Sequence, residues 1–147
     1  MIPPNLNEVK SIQEKKMKSI KKAELALATF CAAAASELNV LAQTLITKCQ
    51  RDGNLTFDGH RKTSAEVDNE ESARRLANRI YRTLSDATPE EILALLDTYD
   101  LLHRIGYGHQ PDAEYIRRQN ARLLTAHRAG RLTLPDRRLR RLEAMAR

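Results

Sequence analysis

The sequence predicts an all-α protein: a long N-terminal amphipathic helix, then a loop, then a bundle of about four shorter helices. Three observations carry this. Only five Gly and five Pro occur in 147 residues, too few for the turns that a β-rich chain of this length requires. Apolar residues recur every three or four positions through most of the chain, which is the period of one helix face. Helix-start and helix-stop residues interrupt that pattern at the intervals short helices need. Charged residues make up 30% and hydrophobic residues 41%, a balance that folds rather than stays disordered. With two Phe, four Tyr and no Trp, the core must come mainly from Leu, Ile and Ala.

The first helix is expected over about Asn5 to Arg51. Asn5 with Glu8 matches a capping box, and no Gly or Pro follows Pro4 until Gly53. Met17, Ile20, Leu27, Cys31, Ala34, Leu38, Leu41 and Leu45 form a heptad-like seam, interrupted at Glu24 and small in its middle. Unbroken, this helix would be roughly 70 Å long, against about 40 Å for the diameter of a compact domain of this size. It therefore either breaks near Ser19 to Lys22 or projects from the body. A projecting seam needs a partner, which a second copy supplies by homodimerisation; a helix lying along its own bundle meets the same need. Cys31 and Cys49 would sit about 27 Å apart on this helix, too far for a disulfide within the chain. They read as small buried hydrophobes, the alternative being a thiol pair across a dimer axis.

Residues 53–68 are expected to be a loop. Asp52-Gly53-Asn54 and Asp58-Gly59 are turn signals around Leu55-Thr56-Phe57, and an exposed loop suits them better than a short hairpin. Asn54-Leu55-Thr56 matches a glycosylation sequon, which carries no weight without a secretory route. The bundle is expected over 69–147, making one domain with residues 1–52 as its helical arm. Asp68 with Glu71 would cap a helix to about Leu84. Thr88-Pro89-Glu90-Glu91 places an N-cap, a first-position Pro and a capping-box Glu in order. That helix runs to about Ile105, stops at Gly106-Tyr107-Gly108, and is apolar on more than one face, so it should be the central one. Pro111-Asp112 starts a helix to about Ala129, ended by Gly130, and Thr133-Leu134-Pro135-Asp136 starts a last short one. The expected core is Leu76, Ile80, Leu84, Ile92, Leu95, Leu96, Leu102, Ile105, Ile116 and Leu123.

Charge is unevenly placed. Residues 1–52 carry eight basic and five acidic groups, residues 53–110 seven and ten, and residues 111–147 ten and four. The basic groups are nearly all Lys at the start and all Arg at the end. On the first helix Lys15, Lys18, Lys21 and Lys22 cluster on one side. Near the end Arg117, Arg118, Arg122 and Arg128 are followed by Arg137, Arg138, Arg140 and Arg141. Arginine suits phosphate oxygens because its planar fork donates two parallel hydrogen bonds. Such faces also serve solubility alone.

No catalytic constellation is evident. The four His residues show no i, i+4 pair, the cysteines form no Cys-x-x-Cys, and no Gly-rich phosphate loop or Gly-x-Ser-x-Gly occurs. Asp97, Asp100, His103 and Arg104 are the strongest cluster, able in principle to bind a metal or move a proton; ordinary helix-surface ion pairing accounts for the same spacing. The expectation is thus a non-enzymatic binding protein without metal or cofactor, one that associates with nucleic-acid backbone or a nucleoprotein assembly. The alternative is an adaptor or inhibitor, of the kind that mobile elements carry, docking on an acidic protein surface. No aromatic interleaving for base stacking and no convincing helix-turn-helix is visible. The start, Met1-Ile2-Pro3-Pro4-Asn5, has no apolar signal region. The most apolar stretch, Leu25 to Ala35, is too short to span a membrane, so a cytoplasmic protein away from membranes is expected.

Overall fold

The computed structural model describes residues 34–146, which form five helices and no strand. These are α1, described over 34–52, α2 (Ser64–Leu84), α3 (Pro89–Tyr107), α4 (Ala113–Arg128) and α5 (Asp136–Met145). The all-α bundle of short helices is therefore as the sequence predicts. The N-terminal part of the expected long helix, with Lys15, Lys18, Lys21, Lys22, Met17, Ile20, Leu27 and Cys31, lies outside the described residues.

Thr88 caps α3 as its sequence signal predicts. Its hydroxyl accepts from the Glu91 amide at 3.3 Å, and the Glu91 carboxylate accepts from the Thr88 amide at 3.0 Å. Pro89 begins the helix, and Gly108, left-handed at φ 77°, ends it. A left-handed residue returns its own amide to a terminal carbonyl, here Arg104, and only Gly does so without strain. Helix α3 is the central element, packed against both α2 and α4, with α5 laid on α4. Ile80, Leu84, Ile92, Leu95, Leu102 and Leu123 are fully buried, and each such side chain contributes about 1.5–3 kcal/mol on leaving water. Of the expected core, Leu96 and Ile105 are buried too, while Leu76 and Ile116 are partly buried against it.

Helix α2 starts earlier than its sequence suggests. Thr63 is the N-cap and Glu66 closes the capping box, so Asp68 and Glu71 lie inside the helix and the loop ends at Thr63. The first two inward positions of α2 are Glu66 and Asn69. Being polar, they hide the start of the stripe that Ala73, Ala77, Ile80 and Leu84 continue.

The buried stripe of α1 runs through Ala35, Leu38, Ala42 and Cys49, with Leu45 and Ile46 beside it. It shares Leu38 and Leu45 with the expected seam but places Ala42 inward, leaving Leu41 41% exposed and Ala34 half-buried. An inward alanine adds almost no bulk, so the helix backbone can approach its neighbour. Cys49 is fully buried and behaves as a small hydrophobe; burial pushes its thiol pKa up, with nearby Asp52 adding to the effect.

Residues 53–63 are tied down by a polar network. The Asn54 amide N–H donates to the Cys49 carbonyl at 2.9 Å, and its side-chain Nδ2 donates to the Glu66 carbonyl at 3.0 Å. Asn69 Nδ2 donates to Asn54 Oδ1 at 2.9 Å and to Asp52 Oδ2 at 2.8 Å. Both asparagines are buried, so the sequon asparagine is an internal strut of the turn. Buried amides of this kind contribute only when every polar atom finds a partner.

Candidate functional site

The arginines of α4 and α5 divide into two groups. Arg122 and Arg138 are held inside the fold. Arg122 Nη1 donates to the Leu84 carbonyl at 3.0 Å and to Gln119 Oε1 at 2.9 Å, and its Nη2 donates to the Ala87 carbonyl at 2.8 Å. It thereby satisfies the Ala87 carbonyl in the turn after α2 and adds a second donor to the Leu84 carbonyl, which also accepts from the Ala87 amide at 3.3 Å. Arg138 Nη1 lies 2.6 Å from Asp97 Oδ2, with the arginine side chain only 11% exposed, and ties α5 to α3. Asp97 itself is open to water, so the pair is worth little beyond fixing position.

The second group faces solvent. Arg117, Arg118, Arg128, Arg137, Arg140 and Arg141 are all exposed. Of these, Arg117 alone has a carboxylate partner among the described residues, Glu114 at 2.9 Å. On α5, Leu142 is buried and Leu139 partly so, which at 100° per residue turns Arg137, Arg140 and Arg141 outward. Arg117 and Arg141 meet Arg104 and Arg138 around a cleft of about 320 Å³ between α3, α4 and α5, which Asp97 and Asp100 also line. In that cleft Arg104 Nε, Arg138 Nε and Asn120 Oδ1 are buried with no hydrogen-bond partner in the protein. Arg117 and Arg128 flank a second groove, of about 350 Å³, floored by Leu124, Leu142 and Met145.

The cluster Asp97, Asp100, His103 and Arg104 does not converge. Asp97 points to Arg138, Asp100 pairs with Arg104 at 3.3 Å, and His103 Nδ1 lies 3.0 Å from the His109 carbonyl. Among the described residues no group of three or more His, Cys, Asp or Glu is placed to hold a metal ion. Nor is any described helix long and apolar enough to cross a membrane.

An aromatic face is the feature that sequence reasoning missed. All four tyrosines of the chain come together across three helices. Tyr81 of α2 lies 4.7 Å from Tyr115 of α4 and 6.2 Å from Tyr99 of α3, measured between ring centroids. Along α3, Tyr99, His103 and Tyr107 follow one another at i, i+4 and i+8, with centroids 5.9 Å and 4.6 Å apart. His109 completes the row, 5.2 Å from His103. Tyr99 and Tyr115 are buried, whereas Tyr81 is 48% and Tyr107 40% exposed. Tyr107 is fixed by its hydroxyl, which donates to Asn78 Oδ1 at 3.0 Å. Burial, with the neighbouring phenols, pushes the Tyr99 and Tyr115 hydroxyls up to about 12, so both stay protonated. The sequence signal was weak because the four rings are spread over 35 positions; only the shared i, i+4, i+8 spacing on α3 was there to be seen.

A third cluster closes the loop after α1. His60 stands between two carboxylates, its Nδ1 against Asp58 and its Nε2 2.7 Å from Glu66. Asp58, then Glu66, hold the imidazole pKa above its ordinary value. The same bonds hold both carboxyl pKa values low. Lys62 adds a pair with Glu70 at 2.6 Å.

No protein-family model, curated protein or solved structure matches this chain.

Proposed function

We propose that this is a non-enzymatic helical binding protein that associates with the sugar–phosphate backbone of nucleic acid, as a small basic subunit of a nucleoprotein assembly. The observation that supports the reading is the outward set Arg117, Arg118, Arg128, Arg137, Arg140 and Arg141, in which one arginine alone is neutralised by a carboxylate among the described residues. Several unpaired guanidiniums on two adjacent helices offer forked donors to successive phosphates and release counterions when they bind. Such contacts hold a backbone without reading its sequence. The N-terminal lysines, on an arm expected to be helical over residues 5–51, extend the same chemistry, and a second copy is a natural partner for that arm in a cytoplasmic setting.

The test is fluorescence anisotropy of labelled duplex DNA, single-stranded DNA and RNA, titrated with the protein at two salt concentrations. Binding should weaken steeply with salt, and Arg137→Ala with Arg141→Ala should lower the log–log salt slope by about one per arginine. No binding to any of the three at low salt overturns the reading.

A second reading, a protein-binding adaptor, has one observation in its favour. Val40 and Leu41 lie side by side on the outward face of α1, 63% and 41% exposed, where an apolar partner surface would cover them. A stoichiometric protein that co-purifies with the native chain but not with Val40→Asp supports it; recovery of nucleic acid alone counts against it.

A further inference from the structure

The aromatic face lies outside the arginine set, and its chemistry is different. A phosphate backbone has no use for exposed tyrosine rings, whereas an unpaired base does: every base has a π face, and stacking on Tyr needs no particular sequence. In a duplex those faces are already covered by neighbouring base pairs.

We propose that Tyr81, His103, Tyr107 and His109 form a stacking platform for unpaired bases, so that the nucleic acid this protein takes is single-stranded. The inference rests on the reading of the α4–α5 arginines as backbone contacts and adds to it the class of strand. Three features of the face support it. First, the platform is stiff. Tyr99 and Tyr115 underlie Tyr81 from the core side, and Tyr107 is anchored to Asn78, so little ring freedom is lost when a base arrives. Second, the rings are presented rather than buried, with Tyr81 and Tyr107 nearly half open to solvent. Third, a cation stands beside the rings. Exposed Arg118 lies one turn beyond Tyr115 on α4, near enough to lower the Tyr115 hydroxyl pKa against its burial. Acidic groups also approach this cluster: Asp100 and Asp112 act on Tyr99, but Asp100 is paired with Arg104 and Asp112 caps α4. Arg118 also belongs to the outward set of α4 and α5, so the backbone-binding set and the ring face share one cation.

The decisive probe is an abasic single strand, which keeps the phosphates and removes the bases. Anisotropy is compared for a mixed-sequence single strand, its duplex, and an abasic strand of equal length. Wild-type protein should prefer the single strand over both of the others by about tenfold or more, the equivalent of one stacked base. Tyr81→Leu with Tyr107→Leu should erase that preference, and Tyr81→Phe with Tyr107→Phe, which keeps both rings, should retain it. Because the chain has four Tyr and no Trp, intrinsic tyrosine emission gives an independent readout, quenched by the single strand and unchanged by the abasic one. Equal affinity for native and abasic strands, still sensitive to Arg137→Ala with Arg141→Ala, overturns the stacking platform and leaves backbone binding standing. No affinity for any polynucleotide overturns both and leaves the tyrosine face to a protein partner.

Discussion

Gly106 lies directly against Arg74 where α3 passes α2. A Cβ added to this glycine would stand 2.7 Å from the Arg74 backbone nitrogen and 2.7 Å from its Cγ. The Arg74 guanidinium meanwhile donates from Nη1 to the Gly106 carbonyl at 2.9 Å. Because the obstacle includes backbone, the helices must move apart to admit a methyl group. Gly106→Ala should therefore destabilise the fold by about 1–3 kcal/mol, although alanine is the better helix former. Urea unfolding would show a lower midpoint with an unchanged slope. A midpoint at or above that of the native protein would mean that the close approach is not rigid.

Arg122 and the Arg137–Arg141 pair should separate folding from binding. Removing the Arg122 side chain strands the Ala87 carbonyl and takes one of two donors from the Leu84 carbonyl, which keeps the Ala87 amide at 3.3 Å, at a cost of about 1–3 kcal/mol. Arg122→Ala should lower the melting temperature and leave the affinity of the folded fraction for polyanions unchanged. Arg137→Ala with Arg141→Ala should do the reverse, altering stability by about 0.5 kcal/mol or less, as exposed substitutions do. Melting curves paired with anisotropy on the same samples check both.

The start of α2 gives a second contrast. Thr63→Ala removes a hydroxyl that accepts from the Glu66 amide at 3.2 Å and should cost about 1 kcal/mol. Asp68→Ala, at the position the sequence first suggests as the cap, lies exposed in the first turns of α2 and should alter stability by a few tenths of a kcal/mol. Equal losses in chemical denaturation would move the cap back to Asp68.

His60 makes the loop after α1 sensitive to pH. Its pKa is raised in the folded protein, so its contribution is complete below the unfolded value and is lost as pH rises through the folded one. Asp58 and Glu66 are depressed, so theirs is present above their unfolded values and lost as pH falls through the folded ones. The three act together between about pH 4.5 and about pH 6.5, the ordinary values of Glu and His. The melting temperature of the native protein minus that of His60→Ala should peak in this window and shrink on both sides. A difference that stays constant from pH 5 to pH 9 would show that the imidazole is not held between the two carboxylates.

The contrast between what was legible and what was not follows physical lines. Signals confined to a few neighbouring residues were readable: Thr88 to Glu91 starts α3, Gly108 and Gly130 follow helix ends, and the Leu and Ile positions of α3 are buried apart from Leu93 and Leu101, which are partly so. The start of α2 was hidden because its inward residues are polar and gain their partners, Asp52, Asn54 and His60, from a different part of the chain. On α1 the heptad spacing that selects Leu38, Leu41 and Leu45 cannot show that Ala42 rather than Leu41 turns toward the bundle core. Within the candidate site, a count of arginines cannot tell Arg122, spent on the Leu84 and Ala87 carbonyls, from Arg118, which faces water. The tyrosine face arises only when three helices meet.

Helix α5 has a consequence of its own. It is ten residues long, has no side-chain hydrogen bond at its N-terminus, and buries Leu142 alone. Helices this short have little stability apart from their packing, so α5 should open independently while α2 and α3 stay closed. Its amide protons should then exchange with deuterium well before those of α3. A bound polyanion, by engaging Arg137, Arg140 and Arg141, would slow that exchange in α5 first, giving a footprint that needs no variant to detect.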